Sequence, residues 1–152
     1  MMRLQPMARD AAGFTLVEIL LSVVIIGMLT GISVPVYESF ARRNDLDLTT
    51  QQLATMLRRA ETYARAVNTD NVWSVEMQAS AITLFQGTSF AARNTAYDET
   101  LSVPGSVTMG GLGEVQFAKF TAFPNTTGNI TLTSTTNDTR TVTINAKGMV
   151  DY

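Results

Sequence analysis

Residues 14–34 read FTLVEILLSVVIIGMLTGISV. As an α-helix rising about 1.5 Å per residue, this run would be roughly 31 Å long, close to the hydrocarbon thickness of a bilayer. It contains a single charged residue, Glu18, near its start. We therefore predict a membrane-spanning helix over residues 14–35, which Pro35 kinks or interrupts where the apolar run ends.

The thirteen residues before this run carry two basic side chains, Arg3 and Arg9. Basic residues favour the cytoplasmic side of a membrane, so we predict a cytoplasmic N-terminus and an exported C-terminal region. A secretory signal peptide has a shorter apolar core that ends in a small-residue cleavage site, and the present run lacks that pattern. Translation from Met7 instead of Met1 would give a shorter leader, and both starts are compatible with the sequence.

The composition is unusual for an enzyme, because the 152-residue chain contains neither Cys nor His. Disulfides and thiolate metal sites are excluded, and the commonest general base and metal ligand is missing. From Thr69 onward, four basic residues face seven acidic ones, a balance that opposes phosphate binding. We therefore expect no enzymatic activity, no cofactor, no bound metal and no nucleic-acid partner.

Two glycines of the apolar run, Gly27 and Gly31, are four residues apart. This spacing permits close approach of a second helix, or it only makes the helix more flexible, and both interpretations are kept. Residues 36–68 are predicted to continue as an amphipathic helix, and Arg58 and Arg59 are interpreted as part of its solvated face. The apolar positions of this helix are Leu46, Leu53, Met56, Leu57, Ala60, Tyr63, Ala64 and Val67.

Beyond residue 69 the sequence adopts the period of two that is typical of strands. Residues 87–104 are predicted as a surface loop or short edge strand, and residues 110–113 as a flexible turn. The predicted strands cover residues 72–77, 81–86, 106–109, 114–120, 129–134, 140–145 and 149–152, the first two forming a hairpin with a turn at 78–80. The predicted fold class is α+β, with the long N-terminal helix packed against a C-terminal antiparallel β-sheet head.

The start of the apolar run reads Gly13-Phe14-Thr15-Leu16-Val17-Glu18. With the basic leader before it, this sequence resembles the processing signal of type IV pilins and type II secretion pseudopilins. The resemblance implies that a prepilin peptidase cleaves between Gly13 and Phe14 and that the new amine of Phe14 is N-methylated. It also implies four segments, which are a cleaved leader (1–13), a transmembrane assembly helix (14–35), an amphipathic helix (36–68) and a soluble head (69–152).

A carboxylate at position 18 costs free energy in an apolar segment unless a partner neutralises it. One interpretation is that Glu18 reaches the cytoplasmic lipid headgroups. The resemblance favours another, in which Glu18 of one subunit pairs with the Phe14 amine of its neighbour in a fibre of staggered helices. An unpaired charge there is costly, so this pair would fix the stagger. The predicted assembly residues are Glu18, Gly27, Gly31 and Pro35.

Residues 123–132 and 140–150 are similar to the C-terminal half of H-type minor pseudopilins and related minor pilins. The resemblance implies a single-pass inner-membrane protein that becomes a structural subunit of a type II secretion pseudopilus or a type IV pilus, near its tip. The implied partners are other pilin or pseudopilin subunits, prepilin peptidase, the inner-membrane assembly platform and, before assembly, membrane lipid. Two alternatives are kept, a DNA-binding minor pilin of a competence or twitching pilus and a membrane-bound enzyme with a signal anchor.

Overall fold

A computed structural model describes residues 13–152, except for the side chains of residues 32–36. The chain divides into an N-terminal unit that ends at Tyr37 and a head unit, Glu38–Tyr152. One α-helix, α1 (Leu16–Arg65), contributes residues to both units. The predicted leader lies outside the described residues except for Gly13, and the predicted kink at Pro35 stays a prediction.

Strands make up most of the head after α1, so the predicted α+β class is confirmed. In the described part of the chain they are β1 (Trp73–Gln78), β2 (Ala81–Gln86), β3 (Asn94–Ser102), β4 (Val107–Gly111), β5 (Glu114–Phe117), β6 (Gly128–Ser134), β7 (Thr139–Ile144) and β8 (Val150–Asp151). Every pairing between neighbouring strands is antiparallel. The predicted β1–β2 hairpin is confirmed, with Gln78 opposite Ala81 at its turn.

The strands form two four-stranded sheets, where the sequence predicted one. Sheet A has the order β3-β2-β1-β5, and sheet B has the order β4-β6-β7-β8. The division arises because β5 pairs with β1, whereas its neighbour in sequence, β4, pairs with β6. Residues 112 and 113 therefore cross from one sheet to the other, and the turn predicted over 110–113 is restricted to this crossing.

Two strand predictions need correction. The segment predicted as a loop or short edge strand contains β3, which at nine residues is the longest strand in the described part of the chain. The strand predicted to reach residue 120 stops at Phe117, because Phe120 and Ala122 adopt left-handed backbone conformations with φ of 70° and 55°. The amide of Phe120 instead donates a hydrogen bond to the carbonyl of Ala64 at the end of α1, 3.1 Å away.

The head has one apolar core, which α1 shares with both sheets. Leu53 and Leu57 of the helix are fully buried, as the predicted amphipathic stripe requires. Sheet A contributes Val75, Ile82, Leu84, Val115 and Phe117, and sheet B contributes Val107, Ile130, Leu132, Val142 and Ile144. Alternate residues of each strand face inward because the strand period is two. The helix therefore supplies apolar surface on which both sheets pack.

Arg58 and Arg59 both contact the strands, so their interpretation as a solvated helix face is partly wrong. A guanidinium nitrogen of Arg58 donates to the carbonyl of Val150 at 2.9 Å. Arg59 forms an ion pair with Glu99 of β3 at 2.6 Å and donates a hydrogen bond to the hydroxyl of Tyr63 at 3.0 Å. Long arginine stems can lie along an apolar surface while their charged ends reach polar groups at its edge.

Gly111 lies where β4 ends and the chain leaves sheet B. Its φ is +100°, and a Cβ atom at this position would lie 2.2 Å from the carbonyl oxygen of Asn129 in β6. The neighbouring Gly110 has open space around its own Cβ position and no positive φ. Of these two neighbouring glycines, it is therefore Gly111 that requires the absence of a side chain.

Two carboxylates lie opposite each other on sheet A, Glu76 in β1 and Glu114 in β5. Partial burial, repulsion by Glu114 and a hydrogen bond with Glu114 all raise the pKa of Glu76. A carboxyl group with a raised pKa binds its proton more tightly in the folded chain than in the unfolded chain. This contribution to stability is complete below the ordinary Glu pKa and is lost as the pH rises through the raised value.

We therefore expect Glu76→Gln to increase the free energy of unfolding relative to the native chain at neutral pH, with the difference vanishing in acid. Glutamine keeps the shape and hydrogen bonding of a protonated glutamate and carries no charge to repel Glu114. The measurement is urea unfolding of the full chain in detergent across a pH series, followed by the fluorescence of Trp73, the only tryptophan. An equal difference at every pH would contradict the expectation.

Candidate functional site

The predicted processing and assembly residues lie in the N-terminal unit, where the start of α1 is capped. Thr15 immediately precedes the helix, and its hydroxyl oxygen accepts a hydrogen bond from the backbone N–H of Glu18 at 3.2 Å. This is one half of a capping box, in which a Thr is followed three residues later by a Glu. The cap fixes the residue at which the helix begins, two positions after Phe14.

Glu18 occupies the first turn of α1, and its side chain is exposed. An acidic side chain in the first turn interacts favourably with the positive end of the helix dipole. The unpaired backbone amides of the first turn and an amine on Phe14 would add positive charge at the same end of the helix. Glu18 is therefore placed among positive groups, both of its own helix and of any identical helix whose start lies beside it.

The apolar side chains before and beyond Glu18 are exposed in the N-terminal unit. Phe14 is 79% exposed and Leu16 is 76% exposed, although both would be expected inside a core on hydropathy alone. The same holds for Val17, Ile19, Leu20, Leu21, Val23, Val24, Ile25, Ile26, Met28 and Leu29. An apolar surface of this size on a soluble single chain is unfavourable, so it marks a surface for contact with lipid or with other chains.

Beyond Glu18, the two hydroxyl residues whose side chains are described in this run form their hydrogen bonds within the helix. Ser22 donates to the carbonyl of Glu18, and Thr30 donates to the carbonyl of Ile26, each at 2.7 Å. Since each hydroxyl hydrogen is used inside the helix, neither side chain opposes burial. The side chain of Glu18 is consequently the main polar cost of burying residues 14–31.

No atom of the described chain packs against the helix surface at Gly27 or Gly31. A Cβ atom at either position would meet no atom of the chain within 4 Å. Neither glycine is therefore required by contacts within the described unit, and their proposed role in close helix approach depends on a second molecule. The side chain of Pro35, the remaining predicted assembly residue, lies outside the described residues.

Within the part of the chain that the structure describes, no helix has both the length and the apolar character needed to cross a membrane. The predicted crossing over residues 14–35 includes four positions, 32–35, whose side chains are not described. The membrane-spanning helix therefore stays a prediction.

Residues 8–34 match the model of one protein family. The matching model is that of the prokaryotic N-terminal methylation motif. This motif is typical of type IV pilins and pseudopilins, so the resemblance seen at residues 13–18 is confirmed at that level. Neither the curated proteins nor the solved structures include a match to this chain.

The methylation motif contains one functional feature that the sequence interpretation missed, the cap formed by Thr15. Glu18 was considered only as a charge that reaches the lipid headgroups or pairs with the amine of another subunit. The spacing of Thr15 and Glu18 is itself a signal for a helix start, because Thr-x-x-Glu before an apolar run defines a capping box. Glu18 thus takes part in a local structure through its backbone, while its side chain remains available.

Proposed function

We propose that this chain is a structural subunit, a minor pseudopilin or minor pilin, of a type II secretion pseudopilus or type IV pilus. The observation that carries the proposal is the match of residues 8–34 to the methylation motif, together with the exposed apolar side chains of the helix that begins at Leu16. In this proposal the leader is removed after Gly13, the amine of Phe14 is methylated, and the helix moves from the inner membrane into the fibre. The head is exported and remains on the outside of the fibre.

The position of Glu18 supports an assembly step based on charge pairing. When the helix leaves lipid and enters a fibre, Glu18 and the Phe14 amine of a neighbour neutralise each other. Such a pair need not add net stability, but loss of one partner leaves a buried charge that costs about 3 to 5 kcal/mol. Only the correct stagger of two helices satisfies both groups, and Gly27 and Gly31 allow the helix backbones to approach.

Processing is tested by the mass of the mature chain, purified from cells with and without a prepilin peptidase. We expect a chain that begins at Phe14 and carries one N-terminal methyl group only when the peptidase is present. Gly13→Val should block cleavage by placing a branched side chain beside the scissile bond, whereas Gly31→Val should be cleaved normally. An uncleaved native chain in the presence of the peptidase would refute the proposal.

Glu18→Ala is expected to be processed and inserted normally but to enter fibres at least ten-fold less than the native chain, because the Phe14 amine loses its partner. The observed cap uses the backbone N–H of Glu18 and therefore survives the substitution. The measurement is the ratio of subunit in sheared fibres to subunit in membranes, by immunoblot. Ser22→Ala, one turn further along α1, is the matched control and should leave this ratio unchanged.

A further inference from the structure

The loop between β2 and β3, residues 87–93, folds against a face of sheet A away from α1, and is called the flap below. Its Phe90 contacts Phe85 of β2 edge to face, with ring centroids 5.7 Å apart. Phe85 is fully buried, yet it does not belong to the core that α1 shares with the two sheets. The flap therefore covers an apolar side chain that the main core does not protect.

Both ends of the flap are fixed to the sheet. The carbonyl of Gly87 accepts a hydrogen bond from the hydroxyl of Ser74 at 2.7 Å, and its amide donates to the carbonyl of Val72 at 3.1 Å. At the other end, the side-chain amide of Asn94, the first residue of β3, donates to the side-chain carbonyl of Gln86 at 3.3 Å. The middle of the flap, which contains Phe90, lies between these two fixed ends.

The middle of the flap is held to β5 by a carboxylate. The backbone N–H of Phe90 donates to a carboxylate oxygen of Glu114 at 3.2 Å. On the opposite side, the guanidinium of Arg93 lies 3.7 Å from the centre of the Phe90 ring and pairs with Asp98 of β3 at 2.7 Å. The contact with Glu114 is the one that joins the flap to the far edge of sheet A.

Glu114 is directly opposite Glu76 of β1. Among the described residues, no basic side chain forms an ion pair with either carboxylate, and the nearby Arg93 is paired with Asp98. On the other paired strand, the residue opposite Glu76 is Thr83 of β2, which is uncharged. The repulsion between the two glutamates is therefore not offset by an ion pair with a cation, and it is relieved while Glu76 is protonated.

We propose that the flap is a pH-responsive element, closed over Phe85 while Glu76 is protonated and opened when Glu76 loses its proton. In the closed state, protonated Glu76 donates to Glu114, which in turn accepts from Phe90. Loss of the proton to solvent leaves two facing carboxylates, which separate and take Glu114 away from the amide of Phe90. The raised pKa of Glu76 has the direction that this element requires. Opening then exposes the rings of Phe85 and Phe90.

The test is hydrogen exchange of the full chain in detergent, comparing native protein with Glu76→Gln at about pH 4 and about pH 8, on either side of the ordinary Glu pKa. Comparison at equal pH cancels the intrinsic dependence of exchange on pH. We expect the flap amides of Glu76→Gln to be at least ten-fold more protected than those of the native chain at the higher pH, and equally protected at the lower pH. Glu61→Gln, which removes a carboxylate paired with Arg65, is the control and should match the native chain in the flap.

Equal flap protection in the native chain and Glu76→Gln at both pH values would overturn the proposal. A change spread evenly over the strands would also overturn it, because that result reports global stability rather than flap opening. Glu114→Gln provides a second variant, since glutamine retains an acceptor for the Phe90 amide but removes the second charge. Its flap should remain closed at the higher pH, and a flap that still opened as in the native chain would contradict the proposed role of the pair.

Discussion

Gly111→Ala is expected to lower the free energy of unfolding by about 3 kcal/mol or more, combining backbone strain with overpacking. The strain arises because an alanine would have to adopt φ of +100°, a conformation that side chains rarely occupy. The overpacking arises because its Cβ would lie 2.2 Å from the carbonyl oxygen of Asn129. Relief of that contact requires β4 and β6 to separate at the end of their pairing, where Gly111 is opposite Ile130.

The matched control is Gly110→Ala, one residue earlier in the same strand. Its Cβ would meet no atom within 4 Å, so the free energy of unfolding should change by less than about 1 kcal/mol. Both variants are measured by urea unfolding of the full chain in detergent, with Trp73 fluorescence as the signal. Equal effects of the two substitutions would show that the conformation at Gly111 is not required by the fold.

Leu57→Ala is expected to destabilise the head by about 2 to 5 kcal/mol, the range for removing a large side chain from a close-packed core. Leu57 is fully buried in the core that α1 shares with both sheets. Since those sheets are separate hydrogen-bonded layers, the cavity cannot be closed by a shift of one sheet alone. We therefore place the effect in the upper half of the range.

Leu48→Ala is the corresponding control on the same helix. Leu48 is 49% exposed, so its truncation removes little buried surface and should cost less than about 1 kcal/mol. The same urea titration measures both variants, and the slope against urea concentration should remain unchanged if each still unfolds in one transition. A large effect of Leu48→Ala would mean that this side chain is covered in solution.

The strands of the head could be predicted from the sequence wherever apolar and polar residues alternate clearly. Residues 72–86 alternate between core-facing and outward-facing side chains, so the first hairpin was predicted correctly. β3 lacks this signal, because it is an edge strand with few buried residues. Its register with β2 also shifts between Leu84 and Gln86, which breaks the period. An exposed edge strand therefore looks like a loop in the sequence.

The division into two sheets was not predictable in the same way. It arises because β5 pairs with β1, which lies far from it in the sequence. Which strands pair depends on packing in the folded chain rather than on the pattern of residues within either strand. Glu76 and Glu114 lie opposite each other because β1 and β5 pair. The contact between Glu114 and the flap depends on the same pairing. In contrast, the processing and assembly motif lies within six consecutive residues and includes Gly13, Phe14 and Glu18. This part of the candidate site could therefore be predicted from the sequence without any tertiary structure.

The order of elements along the chain has a consequence for biosynthesis. The helical stripe that contains Leu53 and Leu57 precedes every strand that packs on it. Because synthesis proceeds from the N-terminus, the stripe emerges before the residues that will bury it have been made. Until the last strands have been made, the nascent chain thus exposes this apolar stripe of α1 in addition to the apolar run that precedes it.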